Sequence, residues 1–158
     1  MSIACPGAQS FTVVQEPFGS AAAQRLRAAA RIEIDSLYGR YPDRGAPLVV
    51  DAAAAHFVAR DTEGVPLGCG GLFPVDDGVY EIRRMFVRSE ARGSGIAVTL
   101  LRALEEAAVA LGAPAVVHET GAQQTGTIRF YEREGFNRIA PFGPYADNPL
   151  SVCLAKIL

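Results

Sequence analysis

One short run, Arg92-Gly93-Ser94-Gly95-Ile96-Ala97, holds residue types that could seat an anion. Gly93 and Gly95 lack a β-carbon and Ser94 is small, so the backbone there can approach a bulky negative group. A helix starting at this point directs unpaired N–H groups at one spot, where its dipole also favours negative charge. Phosphate is the usual occupant of such a spot. Two phosphate patterns do not fit. The chain has no Gly-Lys-[Ser/Thr], which the P-loop requires, and Val98 stands where the dinucleotide fingerprint needs its third glycine. That fingerprint also expects an acidic residue about 20 positions on, near Ala113, and the nearest beyond it is Glu119.

The remaining reactive side chains are sparse. His56 and His118 are the only histidines. His56 opens a strand-like run and reads as structural. His118 adjoins Glu119, and strand alternation sends the two to opposite faces, so at most one should point into a site. Cys5, Cys69 and Cys153 are an odd count without CxxC spacing, which points to a reducing, cytoplasmic compartment and to no metal site. A formal charge of −2 gives no electrostatic case for nucleic acid or membrane binding. The apolar runs are far shorter than the ~20 residues of a membrane span. Met1 to Ser10 lacks the basic start and apolar core of a signal peptide.

These residues need elements to hold them. With 158 residues, 49% of them hydrophobic, the chain can bury the core of one domain, 1–158. Phe11 to Glu16 reads as a strand, and Ser20 caps an Ala/Arg-rich helix reaching about Leu37, with Leu26, Ile34 and Leu37 on or near its inner face. A turn-rich aromatic stretch, Tyr38 to Pro47, precedes a short helix ending at Ala55. His56 to Asp61 and Pro66 to Phe73 form a hairpin, and Val79 to Arg88 a fourth strand. The helix Val98 to Leu111 is the clearest element. Ala97, Leu100, Leu101, Leu104, Ala108 and Leu111 form its apolar stripe, with Arg102, Glu105 and Glu106 facing away, and Gly112 and Pro114 end it. Ala115 to Glu119 is a strand, Thr125 to Glu134 a helix, and Phe136 to Ala140 and Leu150 to Leu158 the last strands. An antiparallel meander followed by β-α-β predicts an α/β (α+β) fold with a mixed sheet and helices on both faces.

Arg92, Gly95 and Ala97 also satisfy [Gln/Arg]-x-x-Gly-x-[Gly/Ala], the pyrophosphate motif of the GNAT acetyltransferases. Ahead of it stands Glu81-Ile82-Arg83-Arg84-Met85-Phe86-Val87. After it comes Phe130-Tyr131-Glu132-Arg133-Glu134-Gly135-Phe136, similar to the family's F-Y-x-x-x-G-F ending. Nearly the whole chain resembles this superfamily, although the N-terminal third supports only the element order. The resemblance implies a mixed, mostly antiparallel, twisted sheet of seven strands, splayed between strands four and five.

It also implies a chemistry. Backbone N–H groups of Gly93, Ser94, Gly95, Ile96 and Ala97 would hold the pyrophosphate of acetyl-CoA, with Arg92 adding charge. The amide-bearing arm would pair along Met85, Phe86 and Val87, where a backbone N–H would stabilise the oxyanion of a tetrahedral intermediate. Gln124, Thr127 and Phe130 stand where relatives contact that arm, Gln124 replacing the asparagine many of them carry. A primary amine, with a pKa of about 10.4, must lose a proton before direct attack on the thioester. Glu81 is the first candidate base and Glu119 the second, with His118 behind them. The departing thiolate, with a thiol pKa of roughly 8.5, would take a proton from Tyr131.

Substrate choice would come from Tyr38 to Arg44, from strand four and from the loop Phe142 to Asn148. Tyr38, Tyr145, Arg83 and Arg84 are the candidate acceptor contacts. Glu81 and Arg83 share a face if no bulge intervenes, so an arginine could bind an acceptor carboxylate, implying an amino-acid-like amine. Two alternatives stay open: a protein or peptide N-acetyltransferase, and a non-catalytic acyl-CoA-binding regulator, which would not need Glu81 or Tyr131. The resemblance also leaves room for a homodimer through the last strands.

Overall fold

The computed structural model describes residues 9–39 and 52–158. Most of the expected turn-rich stretch and short helix before Ala55, together with Arg40 and Arg44, lies outside the described residues. Seven strands and three helices follow in the order β1 (Phe11–Gln15), α1 (Ala21–Tyr38), β2 (Ala55–Asp61), β3 (Pro66–Pro74), β4 (Tyr80–Val87), α2 (Ile96–Ala110), β5 (Ala115–Gly121), α3 (Thr125–Arg133), β6 (Asn137–Ile139) and β7 (Ser151–Ile157). They form one sheet in the order β1-β2-β3-β4-β5-β7-β6. Its pairings are antiparallel except β4 with β5, the product of the β4-α2-β5 crossover. Among the described residues, no helix is long and apolar enough to cross a membrane.

Local signals explain where the helices start. Ser20 caps α1, its hydroxyl accepting from the Ala23 N–H at 3.1 Å. α2 starts at Ile96, two residues before the expected Val98, because the left-handed backbone of Gly95 turns the chain directly into the helix. Its stripe of Leu100, Leu101, Leu104 and Ala108 is fully buried, the last three with Leu72, Ile82 and Val116 and Leu100 with Ala59, Leu67 and Val87. Fully burying each large aliphatic side chain is worth roughly 1.5–3 kcal/mol. α1 covers the opposite face, where Leu26 meets Val58, Cys69 and Phe86.

Three expectations are corrected. Leu111, expected in the stripe of α2, is 50% exposed, because the helix ends at Ala110 and Leu111 is its C-cap. Glu105 does not face water: it is 8% exposed, held between Arg102 (2.8 Å) and Lys156 of β7 (2.8 Å). Those cations supply the compensation a buried carboxylate needs. Leu37 is not on an inner face either. It is 66% exposed, because the C-terminal part of α1 runs beyond the sheet and borders an open cleft.

Candidate active site

The glycine turn is built for an anion by its backbone. Gly93 has φ 80° and Gly95 φ 88°, and a β-carbon at either would meet nothing within 4 Å. Left-handed φ, not crowding, therefore requires glycine, and the space above the turn is open. Gly95 is the N-cap of α2, no side chain caps the helix, and its first turn holds no acidic residue. Its leading N–H groups are thus left for a ligand. Arg92 sits beside them, donating from Nε to the Val87 carbonyl (3.0 Å) while Nη2 pairs with Glu33 of α1 (2.6 Å).

The approach to this turn depends on an irregularity in β4. Arg83 pairs with Gly71 and Phe86 with Cys69, so Arg84 and Met85 together face Gly70. This is a β-bulge, and Arg84, with φ 58°, is the only described non-glycine residue at positive φ. Gly70 makes room for it, since a β-carbon there would fall 2.5 Å from Met85 Sδ. The bulge sits after Arg83, so Glu81 and Arg83 do share a face, with Arg83 Nε 3.8 Å from the Glu81 carboxylate. β4 and β5 pair only over Tyr80–Ile82 and Val116–His118, then separate.

A cleft fills that separation, in two adjoining halves that share Met85, Phe86, Gln124, Thr127 and Tyr131 as walls. The half of about 440 Å³ next to the glycine turn is bordered by Val87, Arg92, Ala97 and Phe130. Tyr38 reaches this half too, at 37% exposure. The other half, about 200 Å³, is lined by His118, Glu119, Arg84 and two arginines of α1, Arg27 and Arg31. His118 and Glu119 both border it, although strand alternation sends their side chains to opposite faces. Ile96, unlike its backbone, is turned inward at 1% exposure.

At the junction, the Tyr131 and His118 rings stack 4.0 Å apart, 21° from parallel. His118 Nδ1 donates to the Ile82 carbonyl at 2.9 Å, and burial lowers its pKa to about 4, leaving the ring neutral. Its Nε2 is then an acceptor. That atom and the Tyr131 hydroxyl are buried with no hydrogen-bond partner among the described residues. Burial raises the Tyr131 pKa, so the phenol keeps its proton.

Glu81 lies elsewhere. It is 6% exposed and accepts a hydrogen bond from Tyr145 at 2.7 Å, beside a third cavity bordered by Val117, Ile139 and Phe142. Desolvation raises its pKa against the opposing effects of Tyr145 and Arg83. Tyr145 is itself 2% exposed. The structure thus joins Tyr131, Glu119 and Arg84 in one chamber, and Glu81, Arg83 and Tyr145 in a second group. Arg27 and Arg31 were missed from sequence. Their signal was the shared stripe of Arg27, Ala30, Arg31 and Ile34 on α1, which periodicity alone could not assign to a cleft.

Residues 23–136 match the acetyltransferase (GNAT) family. An "IAA acetyltransferase" of Azospirillum brasilense is 40% identical over 103 residues, 65% of this chain and 67% of that protein. A Klebsiella pneumoniae structure, provisionally named an acyl-CoA N-acyltransferase, superposes with a TM-score of 0.81 at 27% identity, covering 94% of this chain and 97% of that one. A GNAT family acetyltransferase of Elizabethkingia anophelis, solved with acetyl-CoA bound, has the same fold at a TM-score of 0.68 and 19% identity, covering 94% and 98%.

Proposed function

The chain belongs to the acetyltransferase (GNAT) family, and we propose that it moves the acetyl group of acetyl-CoA to a primary amine of a small, amino-acid-like molecule. One observation carries this reading: a single cleft runs from an uncapped helix start, across the β4–β5 separation, into a small charged chamber. That chamber, about 200 Å³, is below the roughly 300–1,000 Å³ of drug-sized sites, which favours a small acceptor over a polypeptide.

The residues present fit the donor. The open, glycine-built turn and the first N–H groups of α2 would hold the pyrophosphate, with Arg92 alongside. Main-chain groups of Met85, Phe86 and Val87, freed from β5 by the splay, would pair with the amide-bearing arm and polarise the thioester carbonyl. When bound, acetyl-CoA supplies the activated acetyl group. Tyr131 holds its proton firmly and would give the departing sulfur a hydrogen bond, since its hydroxyl is buried with no partner among the described residues. Glu119 shares the chamber with Tyr131, and this favours it over Glu81 as the group that takes the amine proton, directly or through water. Direct attack is favoured over a covalent acyl-enzyme, since burial pushes the Cys69 thiol up to about 12, away from nucleophilic use.

The test is a thiol-release screen with acetyl-CoA over free amines, amino acids and peptides. Turnover of small amines, lost in Tyr131→Phe, is the expected result. Faster turnover of peptides would replace this reading with protein acetylation. Tight acetyl-CoA binding with no turnover would replace it with a regulator.

A further inference from the structure

The chamber carries a charge imbalance that acetyl transfer alone does not explain. Among its described lining residues Glu119 is the only carboxylate, against Arg27, Arg31 and Arg84. Arg31 is accounted for by Asp35, one turn on, at 3.2 Å. Arg27 is different. Its Nη1 donates to the Phe18 carbonyl at 2.8 Å, and its guanidinium lies 3.8 Å from the centre of the Phe18 ring. Both contacts fix the side chain in place, and neither neutralises it. Its surroundings oppose the charge, through partial desolvation and through the like charge of Arg84. A cation held rigidly in such a place is suited to an anion arriving from solvent.

This anion is not the donor's pyrophosphate. Arg92 and Ala97 border only the larger half of the cleft, and Arg27 only the smaller. α1 spans both, and the eleven-residue separation of Arg27 and Tyr38 along it corresponds to roughly 16 Å. Planar guanidinium groups match a carboxylate, and the chamber has room for little more than a small metabolite.

We propose that the acceptor is an amine bearing a carboxylate, which Arg27 grips together with Arg84 while its amino group faces Glu119. Arg27 is then a specificity residue supplied by α1, and Arg83, engaged with Glu81, is not part of the grip. The proposal rests on the acetyltransferase reading above and adds the acceptor's class.

The experiment compares amino acids with their carboxamides at saturating acetyl-CoA, in the wild type, Arg27→Gln and Arg27→Lys. Arg25→Gln serves as control, since Arg25 is exposed on the same helix and lines neither half. In the wild type, kcat/KM for the acids should exceed that for the amides by about 10-fold or more, the size of a charge-assisted pair. Arg27→Gln should collapse that preference, chiefly through acceptor KM, with acetyl-CoA KM unchanged and Arg27→Lys intermediate. Equal use of acids and amides by the wild type, or an undiminished preference in Arg27→Gln, would overturn the proposal. Failure of every amine would defeat the acetyltransferase reading alone. Calorimetry on the CoA-loaded protein with N-acetyl amino acids and their amides then decides: acid-selective binding lost in Arg27→Gln supports the grip, and its absence refutes it.

Discussion

The two halves of the cleft are made from different materials. The half proposed for the donor offers it mainly backbone: it adjoins two left-handed glycines and a helix start, and three residues of β4 line it. The half proposed for the acceptor is set apart by four charged side chains, Arg27, Arg31, Arg84 and Glu119, brought from α1, β4 and β5. A backbone site recognises what every acetyl-CoA has in common and tolerates side-chain change around it. A side-chain site can be rewritten one residue at a time without disturbing the sheet. Such a division lets one fold keep its donor and exchange acceptors.

That contrast can be broken first at Gly95. Gly95→Val forces a β-branched residue into φ 88° and should cost about 100-fold in acetyl-CoA affinity by calorimetry. Gly64→Val, at φ 83° in the β2–β3 turn, should lose stability without losing affinity. Equal affinity loss in both would make the donor seat an effect of general strain. A smaller effect separates the carboxylates. Glu119→Gln should lower kcat about tenfold, while Glu81→Gln stays within about twofold. The reverse ranking would return the base to Glu81.

The smallest effect concerns stability. Burial raises the folded pKa of Glu81, so its contribution is full below the ordinary value of 4.5 and is lost as pH rises through the folded value. Glu81→Gln can still accept from Tyr145 and never carries the buried charge. Its melting temperature should therefore gain on the wild type by a few °C, on the order of 1 kcal/mol, as pH is raised from 4.5. A constant difference across that range would show that Glu81 does not titrate in the fold.

What the sequence made legible follows the same division. Gly93, Gly95 and the Phe130-Tyr131 pair could be read because backbone conformation and close helix packing restrict residue type locally. The order of elements along the chain followed from turn signals and hydrophobic period, and the β4–β5 splay from the resemblance; the place of β7 between β5 and β6 came only with the structure. The acceptor half was opaque because it joins residues far apart in the chain: Arg27 meets Arg84 only after α1 lies across the sheet. Glu105 was misread for a similar reason, since its burial depends on Lys156 in the last strand. The bulge had a visible sign, Gly68-Cys69-Gly70-Gly71, because glycines inside a strand mark a close backbone approach. Its partner strand could not be named from that sign alone.

The bulge acts on β4 as a change of phase. Glu81 and Arg83 lie on the α1 side of the sheet, and so does Phe86, although its position differs from theirs by an odd step. Met85 and Val87 are thereby assigned to the α2 side. A homologous chain with one residue fewer between Arg83 and Phe86 would lose the bulge and leave all three on their present faces, whereas a chain of the same length paired regularly would exchange them. Sequence comparison across this segment must therefore count residues before it weighs their chemistry, because the extra residue, and not the letters around it, decides which residues belong to the core of α2 and which to the core of α1.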